Sequence, residues 1–275
     1  MKRRRHQMGL TLKLNSDNYH STSANSQYMS VSLFKKFLDC EARTMAELRG
    51  DYTPPLSNAL VVGSYVHAAF ENPEAFAAIE EQYSDMIFKK RGGGKYADFE
   101  TADRMIDCLK ADPFVMFALE GDKEEIYTGE LFGAQWKIKV DSINHIRKTF
   151  SDIKTTSDLH KRYWSTKYDG WVSFVEEWGY VFQMAIYREI IKQNEDEYYT
   201  PYIVAVTKEN PPNKAVLHID DSRFDFELEF AEMKLERILQ VKSGEVDAVG
   251  CQKCDYCRTN KKLSNTMEIG DLINV

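Results

Sequence analysis

Residues 150–155 are Phe150-Ser151-Asp152-Ile153-Lys154-Thr155, and the stretch Lys139-Val140-Asp141-Ser142-Ile143 precedes them in the chain. Both stretches are short, rich in β-formers and partly alternating, which predicts two strands. Successive side chains of a strand point to opposite faces, so Asp152 and Lys154 share one face. A turn between the strands would pair them and bring Asp141 beside Asp152. Two neighbouring carboxylates favour a divalent cation such as Mg²⁺ or Mn²⁺, and a nearby lysine can stabilise developing charge. The alternative is a solvated strand face that carries an ordinary Asp–Lys ion pair.

Helical and strand patterns alternate around these two strands. Apolar residues at spacings of three and four predict helices in the first part of the chain, beginning with one that starts near Ser30 and ends at Gly50. The same apolar spacing predicts a long helix over residues 171–192. Further β-rich stretches and one more helix are predicted after it. This order predicts an α/β fold in which a mixed central β-sheet is flanked by helices.

Length and composition limit the class of protein. The chain has 275 residues, of which 43% are hydrophobic, so it is long enough to bury a core and is neither disordered nor fibrous. Its apolar runs are too short to span a bilayer, and its start lacks the apolar segment of a signal peptide. We therefore expect a cytoplasmic protein that does not associate with membranes. We also expect a flexible basic arm over residues 1–28, one domain over residues 29–262 that ends in a cysteine cluster, and a tail over residues 263–275.

Three of the five cysteines lie close together, in the run Cys251-Gln252-Lys253-Cys254-Asp255-Tyr256-Cys257. An odd number of cysteines in a chain without an export signal argues against a disulfide framework. Two intervening residues between successive cysteines allow several thiolates to converge on one metal ion or cluster. A fourth thiolate would have to come from Cys40 or Cys108, which are distant in sequence. The alternative is three free thiols in a polar turn.

Two helices carry polar residues whose spacing suits this chemistry. His67 is a lone histidine on an otherwise apolar helix, where a buried core histidine is the commoner case. Gln183 and Tyr187 are four residues apart, so they lie on one face of the predicted long helix. In chain order, the Gly-x-x-x-His stretch that starts at Gly63, the aspartate that precedes Asp-x-Lys, and Gln-x-x-x-Tyr resemble the PD-(D/E)xK nuclease superfamily. The likeness is to its RecB-like branch and, within it, to phage- and prophage-encoded RecE-type exonucleases.

The resemblance implies a restriction-endonuclease-like nuclease core with a Mg²⁺ (or Mn²⁺) site. Asp141 and Asp152 would be ligands of this ion, and the Ile153 carbonyl would complete the site. His67 would be a further ligand or would lie next to one.

The resemblance also implies roles for residues around the metal. Lys154 would be the catalytic lysine, and Gln183 and Tyr187 would position DNA or the attacking water. Glu130 is a weaker candidate: some family members use a glutamate in this part of the chain, but a solvated strand end is the alternative. Glu71, one helical turn after His67, is ranked with it.

RecB-like relatives hold a [4Fe-4S] cluster with one cysteine before the nuclease core and three near the C-terminus. By this resemblance the ligands here would be Cys40, Cys251, Cys254 and Cys257. The last gap is two residues in this chain and longer in those relatives, so Zn²⁺ on four thiolates stays an alternative. With either occupant, the group would join the two ends of the chain and have a structural role.

Positive charge is clustered, although 36 Lys+Arg against 43 Asp+Glu give a net charge of −7. Lys161, Arg162 and Trp164 follow the strand of Lys154 and combine cations with an aromatic ring that could stack on a frayed base. Lys89 and Arg91 belong to a basic, glycine-rich loop. These five residues are candidate DNA contacts, and a solvated loop is the alternative for each group.

The resemblance implies a Mg²⁺-dependent deoxyribonuclease, specifically a 5′→3′ double-strand DNA exonuclease of a phage recombination system that leaves 3′ single-strand tails. Its partners would be double-stranded DNA ends and a single-strand annealing protein, and processive relatives suggest a homo-oligomer. Two alternatives stay open. One is an endonuclease of the same fold, which would also cut closed circular DNA. The other is a non-catalytic module that binds DNA or protein and hydrolyses neither.

Overall fold

A computed structural model describes residues 12–263, 265–266 and 268–270 of the chain. Internal contacts divide it into two units. The terminal unit comprises the described parts of residues 1–54, 130–136 and 231–275, and the central unit comprises residues 55–129 and 137–230. Among the described residues, no helix is both long enough and apolar enough to cross a membrane.

The main β-structure of the described residues is a mixed five-stranded sheet. The strands are β1 (Asp122–Leu131), β2 (Ala134–Asn144), β3 (Thr149–Thr156), β4 (Tyr163–Ser165), β5 (Gly170–Val172), β6 (Thr200–Thr207) and β7 (Lys214–His218). Five of them form one sheet in the order β1-β2-β3-β6-β7, and β4 and β5 form a separate hairpin. β3 pairs antiparallel with β2 and parallel with β6, and β6 pairs antiparallel with β7. The predicted α/β fold with a mixed central sheet is therefore confirmed.

Helices precede the sheet, connect its strands and follow it. They are α1 (Thr22–Gln27), α2 (Val31–Asp39), α3 (Glu41–Arg49), α4 (Asn58–Glu71), α5 (Pro73–Gln82), α6 (Ser84–Ile87), α7 (Ala97–Lys110), α8 (Pro113–Ala118), α9 (Phe174–Glu177), α10 (Tyr180–Glu195), α11 (Ser222–Ser243) and α12 (Asp255–Thr259). In the central unit, buried Val66 of α4 and Phe99 of α7 belong to an apolar cluster with Ile153 of β3 and Val204 of β6. Because Ile153 faces this cluster, the neighbouring Asp152 and Lys154 point to the other face of β3.

The terminal unit has its own buried centre. Phe34 of α2 packs against Trp136 of β2 with the ring centroids 6.0 Å apart, and both side chains are fully buried. The predicted arm is only partly described, because residues 1–11 lie outside the described residues. For residues 19–28 the prediction of an arm separate from the core is wrong. Tyr19 and Tyr28 are buried, and the Ser21 side chain caps α1 by accepting a hydrogen bond from the backbone of Ala24.

Two predicted helices are interrupted in the structure. The helix predicted up to Gly50 divides at Cys40, whose extended backbone ends α2 and whose thiol caps α3. The helix predicted over residues 171–192 is wrong at its start, where residues 170–172 form β5 and Ser173 begins α9 with a capping box. Gly179 then adopts a left-handed backbone with φ 64°, which separates α9 from α10. Apolar spacing alone could not locate these breaks, because the apolar pattern continues through them.

Candidate active site

Two aspartates lie at the point where the register of β2 and β3 ends. The last pairs of that ladder include Ser142 opposite Ser151, so Asp141 and Asp152 are the next residues on the two strands. Asp141 Oδ2 accepts a hydrogen bond from the backbone N–H of Ile153 at 2.9 Å and lies 3.0 Å from His67 Nδ1. Helix α4 thus brings His67 to the strands, and this histidine is a partner of a carboxylate rather than an isolated core residue.

Asp152 lies in a more enclosed environment. It is buried, its Oδ1 accepts a hydrogen bond from the Gln183 side chain, and its Oδ2 forms an ion pair with the ammonium group of Lys154. Apart from the Lys154 ammonium, no donor among the described residues bonds to this buried Oδ2. An ionised carboxylate has several lone-pair sites, so Asp152 can also bind a cation while its Oδ2 contacts the ammonium.

Helix α10 covers β3 so that three of its side chains match three residues of the strand. The Tyr187 ring stacks on Phe150 with centroids 6.5 Å apart, Gln183 bonds to Asp152, and the Lys154 ammonium lies 4.7 Å from the centre of the Tyr180 ring. Two residues of a strand advance the chain by about 6.6 Å, and three or four residues of a helix advance it by about 4.5–6 Å. An antiparallel helix can therefore follow alternate residues of the strand.

The contacts of α10 with β3 differ in part from those that the Gln-x-x-x-Tyr motif predicts. Gln183 lies at the site as expected, while Tyr187 packs on Phe150, four residues before Lys154. Tyr180, which the sequence analysis did not single out, holds the aromatic face beside Lys154. A Gln-x-x-x-Tyr spacing shows a shared helix face, but it does not show which tyrosine of that face meets which strand residue.

The two aspartates have pKa values that are shifted in opposite directions. Burial tends to raise the pKa of Asp141, but the charges of His67 and Lys154 and the hydrogen bond from Ile153 outweigh burial and lower it. Burial and the charge of Asp141 raise the pKa of Asp152 despite the attraction of Lys154. Burial alone would lower the pKa of Lys154, and the two carboxylates reverse this and raise it. Like-charged carboxylates forced together in this way favour an added cation.

A narrow pocket beside Asp141 contains further charged residues. It is lined by His67, Glu71, Lys123, Glu124, Asp141 and Ile153, together with two apolar residues. Burial raises the pKa of Glu124, an effect that its ion pair with Lys139 opposes. Glu71 therefore lies next to the site, whereas Glu130 belongs to the terminal unit and accepts a hydrogen bond from Gln135 at 3.1 Å. No sequence motif marks Lys123 and Glu124, because they lie at the start of an unremarkable, half-exposed strand.

The first group of predicted DNA contacts lies on the β4–β5 hairpin and the segment before it. Lys161 Nζ is 5.0 Å from the centre of the Tyr163 ring, and the Arg162 guanidinium is 5.7 Å from the Trp171 ring. Trp164 is exposed on β4. Cations and aromatic rings are therefore adjacent in space as well as in sequence.

The second group lies in the glycine-rich loop of the central unit. A β-bridge between Phe88 and Lys95 closes this loop, and Arg91 is exposed within it. Lys89 Nζ lies 3.2 Å from a carboxylate oxygen of Glu100. The loop presents cations at the surface, as the sequence indicates.

The second candidate site is in the terminal unit, where four cysteines converge. The Sγ atoms of Cys40, Cys251, Cys254 and Cys257 lie within 4.8 Å of one another, and no other group of three or more His, Cys, Asp or Glu residues in the described ranges converges as closely. His67, Asp141 and Asp152 therefore do not form a comparably close set. Cys108 lies in the central unit, where its thiol contacts the Pro212 carbonyl oxygen at 3.5 Å.

Backbone N–H groups point at the sulfur atoms of this cysteine group. Cys251 Sγ accepts from the N–H of Cys254 at 3.3 Å, and Cys40 Sγ accepts from the N–H of Cys251 at 3.4 Å. Burial tends to raise the pKa of Cys251, but the N–H groups of Cys254 and Lys253 and the contacts with the Cys254 and Cys40 thiols lower it to about 6. Four converging sulfurs with N–H donors have the chemistry of a tetrahedral metal or iron–sulfur site.

Comparisons with known proteins agree with this geometry. A family model described as a PDDEXK-like domain of unknown function (DUF3799) matches residues 30–260. A crystal structure of a "putative exonuclease" from Eubacterium rectale has a TM-score of 0.90 and 36% sequence identity, and the match covers 95% of this chain and 98% of that chain. A structure of SSO0001 has 15% identity over 82% of this chain and 91% of that chain, and its TM-score of 0.30 supports no conclusion. No curated protein matches the chain.

Proposed function

This chain belongs to the PDDEXK-like family of unknown function DUF3799, and we propose from this premise that it is a Mg²⁺-dependent deoxyribonuclease. More specifically, we propose an exonuclease that degrades double-stranded DNA from its ends in the 5′→3′ direction and leaves 3′ single-strand tails. The observation that carries the proposal is the joint placement of Asp141, Asp152 and Lys154, with His67 and Gln183 holding the carboxylates.

The carboxylates are the residues that would hold the divalent ion. Asp141 and Asp152 supply the hard oxygen ligands that Mg²⁺ or Mn²⁺ prefers, and the buried Oδ2 of Asp152 has no donor other than the Lys154 ammonium among the described residues. His67 contacts Asp141 and Ile153 lines the same pocket, and these positions support the roles proposed for both residues. When bound, the ion would act as a Lewis acid on the scissile phosphate.

The surrounding side chains have separate tasks. Lys154 holds a positive charge beside the Asp152 carboxylate, where it can neutralise the charge that develops on a phosphate oxygen. Gln183 and His67 are positioning residues, because each holds the orientation of one aspartate by a contact to its carboxylate.

Binding of DNA is proposed to use the two basic segments of the central unit. Lys161, Arg162 and Trp164 would contact the strand near the site, and Lys89 and Arg91 would contact the backbone from the glycine-rich loop. A phage recombination system, a single-strand annealing partner and a homo-oligomeric state are further parts of this proposal, and they derive from the likeness to RecE-type exonucleases.

The four cysteines are proposed to have a structural role. Cys40 lies between α2 and α3, and the other three precede or begin α12, so one bound group would join helices from both ends of the chain. A [4Fe-4S] cluster is the proposed occupant, with Zn²⁺ as the alternative. Ultraviolet–visible absorbance of anaerobically purified protein, together with metal analysis, separates the two. A colourless protein with one zinc per chain would overturn the iron–sulfur proposal.

The enzyme proposal is tested with linear duplex DNA labelled at either 5′ end, the same duplex labelled at the 3′ ends, and a closed circle. With Mg²⁺, the wild type should release 5′ label first and leave the circle intact. Lys154→Ala should lower the rate by at least about 100-fold. Lys148→Ala is the matched control, because Lys148 is an exposed lysine at the opposite end of β3.

Each result of this experiment has a distinct meaning. A cut circle would identify an endonuclease, and first loss of the 3′ label would reverse the polarity. Intact linear DNA with the wild type and Mg²⁺ would refute the enzyme proposal and favour a binding module.

A further inference from the structure

The β4–β5 hairpin has two faces of opposite character. Its register places Tyr163 opposite Val172 and Trp164 opposite Trp171. Directly opposed residues of an antiparallel pair share a face, and adjacent residues alternate. Val172 is buried and belongs to the packed face. Trp164 and Trp171 therefore occupy the other face, where their rings meet edge to face with centroids 5.8 Å apart.

The exposure of these two indoles is unusual for tryptophan. Trp164 is 54% exposed and Trp171 is 63% exposed; of the other two tryptophans, Trp178, directly after the adjoining α9, is 51% exposed and Trp136 of β2 is fully buried. Tryptophan is highly buried on average, because its large apolar surface gains most from leaving water. Two neighbouring indoles left in solvent on a short hairpin indicate a surface built to contact another molecule.

The hairpin is held firmly despite its small size. A two-stranded hairpin alone is at best marginally stable in water. Here the connection between the strands carries Lys167 and Tyr168, and both contact the carboxylate of Glu227, which is fully buried in α11. The Lys167 ammonium also lies 4.4 Å from the centre of the Phe230 ring. These contacts fix the turn, so the exposed tryptophans are presented by a rigid support.

The charge beside the tryptophans selects the class of molecule they would contact. Lys161 and Arg162 immediately precede β4, and the Arg162 guanidinium lies 5.7 Å from the Trp171 ring. Exposed aromatic rings next to cations suit a single nucleic acid strand, because bases can stack on the rings while the phosphates meet the cations. A duplex does not offer this contact inside its stack, since its base faces are already covered by neighbouring base pairs.

We propose that Trp164 and Trp171 form a stacking surface for unpaired bases, so that the substrate engaged by this enzyme is a DNA end with at least one separated strand. This inference rests on the proposed nuclease function and specifies its substrate. The position of the hairpin supports it, because β4 and β5 pack against α9, and α9 leads directly into α10 with Tyr180 and Gln183. A strand held on the hairpin would lie on the element that precedes the helix of the catalytic site.

Binding is measured by fluorescence anisotropy without added Mg²⁺ and without a chelator, so that the cysteine group keeps its occupant, no hydrolysis is needed and the result does not depend on the nuclease proposal. The probes are a labelled single strand of thymidines and an abasic strand of the same length, which carries the same phosphates without bases. The wild type should bind the thymidine strand more tightly than the abasic strand. The double variant Trp164→Ala/Trp171→Ala should lose about 5- to 150-fold in affinity for the thymidine strand, and its affinity for the abasic strand should not change.

The variant Trp164→Phe/Trp171→Phe guards against misfolding of the hairpin. It keeps aromatic faces at both positions and should retain the preference for the strand with bases. Equal binding of both probes by the wild type would overturn the inference, even if the enzyme cleaves DNA. Equal losses on both probes in the alanine variant, with retained circular dichroism, would also overturn it and would assign the hairpin to charge binding alone. A wild type that shows the preference for bases but no Mg²⁺-dependent cleavage would support the inference and refute the nuclease proposal.

Discussion

Glu227→Gln is predicted to destabilise the central unit by about 3 kcal/mol. The Glu227 carboxylate is fully buried and contacts both the Lys167 ammonium and the Tyr168 hydroxyl group. Glutamine keeps the shape of the side chain but removes its charge. The substitution therefore leaves a lysine ammonium in a poorly hydrated position without its counter-ion.

The magnitude follows from what Lys167 loses and what it keeps. Removing one partner of a buried ion pair costs about 3–5 kcal/mol, because the other charge stays buried and uncompensated. Lys167 keeps 20% side-chain exposure and its contacts to the rings of Phe230 and Tyr168, so the lower end of the range applies. A loss of about 3 kcal/mol raises the ratio of unfolded to folded protein by more than about 100-fold.

The assay is urea unfolding followed by tryptophan fluorescence, with the free energy of unfolding obtained by linear extrapolation. Glu229→Gln is the matched control, because Glu229 is an exposed glutamate on the same helix. The double variant Lys167→Met/Glu227→Leu replaces both charges by apolar groups and should be close to the wild type or more stable. Equal stability of Glu227→Gln and Glu229→Gln would refute the reasoning, as would a double variant no more stable than the single one.

Three further predictions concern the two candidate sites and the buried lysine of β2. Gln183→Ala should raise the Mg²⁺ concentration for half-maximal cleavage by about 10- to 100-fold, because the Asp152 carboxylate loses the donor that orients it. Cys40→Ser should abolish the metal or cluster content measured by elemental analysis, whereas Cys108→Ser, outside the cysteine group, should leave it unchanged. Burial lowers the pKa of Lys137 to about 8, so its charge opposes folding fully below pH 8 and progressively less up to the ordinary lysine value of about 10.4. Lys137→Met should therefore stabilise the protein by up to about 3 kcal/mol at pH 7, and urea unfolding should show this gain shrinking as the pH rises from 8 to 10.

Local spacing was sufficient to predict the chemistry of the strands. The two-residue period of β3 requires Asp152 and Lys154 to share a face, and any antiparallel pairing through the turn at residues 145–148 brings Asp141 close to them. The cysteine spacing likewise predicts convergence of three thiols, and Cys40 completes the group in the structure. In these cases a short stretch of chain contains both the residues and the geometry that joins them.

Contacts between elements that are distant in sequence could not be predicted from local spacing. The choice of Tyr180 rather than Tyr187 as the neighbour of Lys154 depends on where α10 crosses β3. The presence of Glu124 at the pocket depends on how β1 adjoins the sheet. Helix spacing defines a face but leaves the translation of the helix along the strand open, because that translation is determined by packing of the whole core.

The sequence by itself therefore determined the mixed α/β class, the paired aspartates with their lysine, and the three clustered thiols, whereas the structure shows that Cys40 is the fourth. Only the tertiary structure decided that residues 163–172 form a hairpin with Trp164 and Trp171 on an open face, in a region where sequence patterns predicted the start of a helix. The physical reason is that this short hairpin is stabilised less by its own strands than by a buried glutamate about 60 residues farther along the chain.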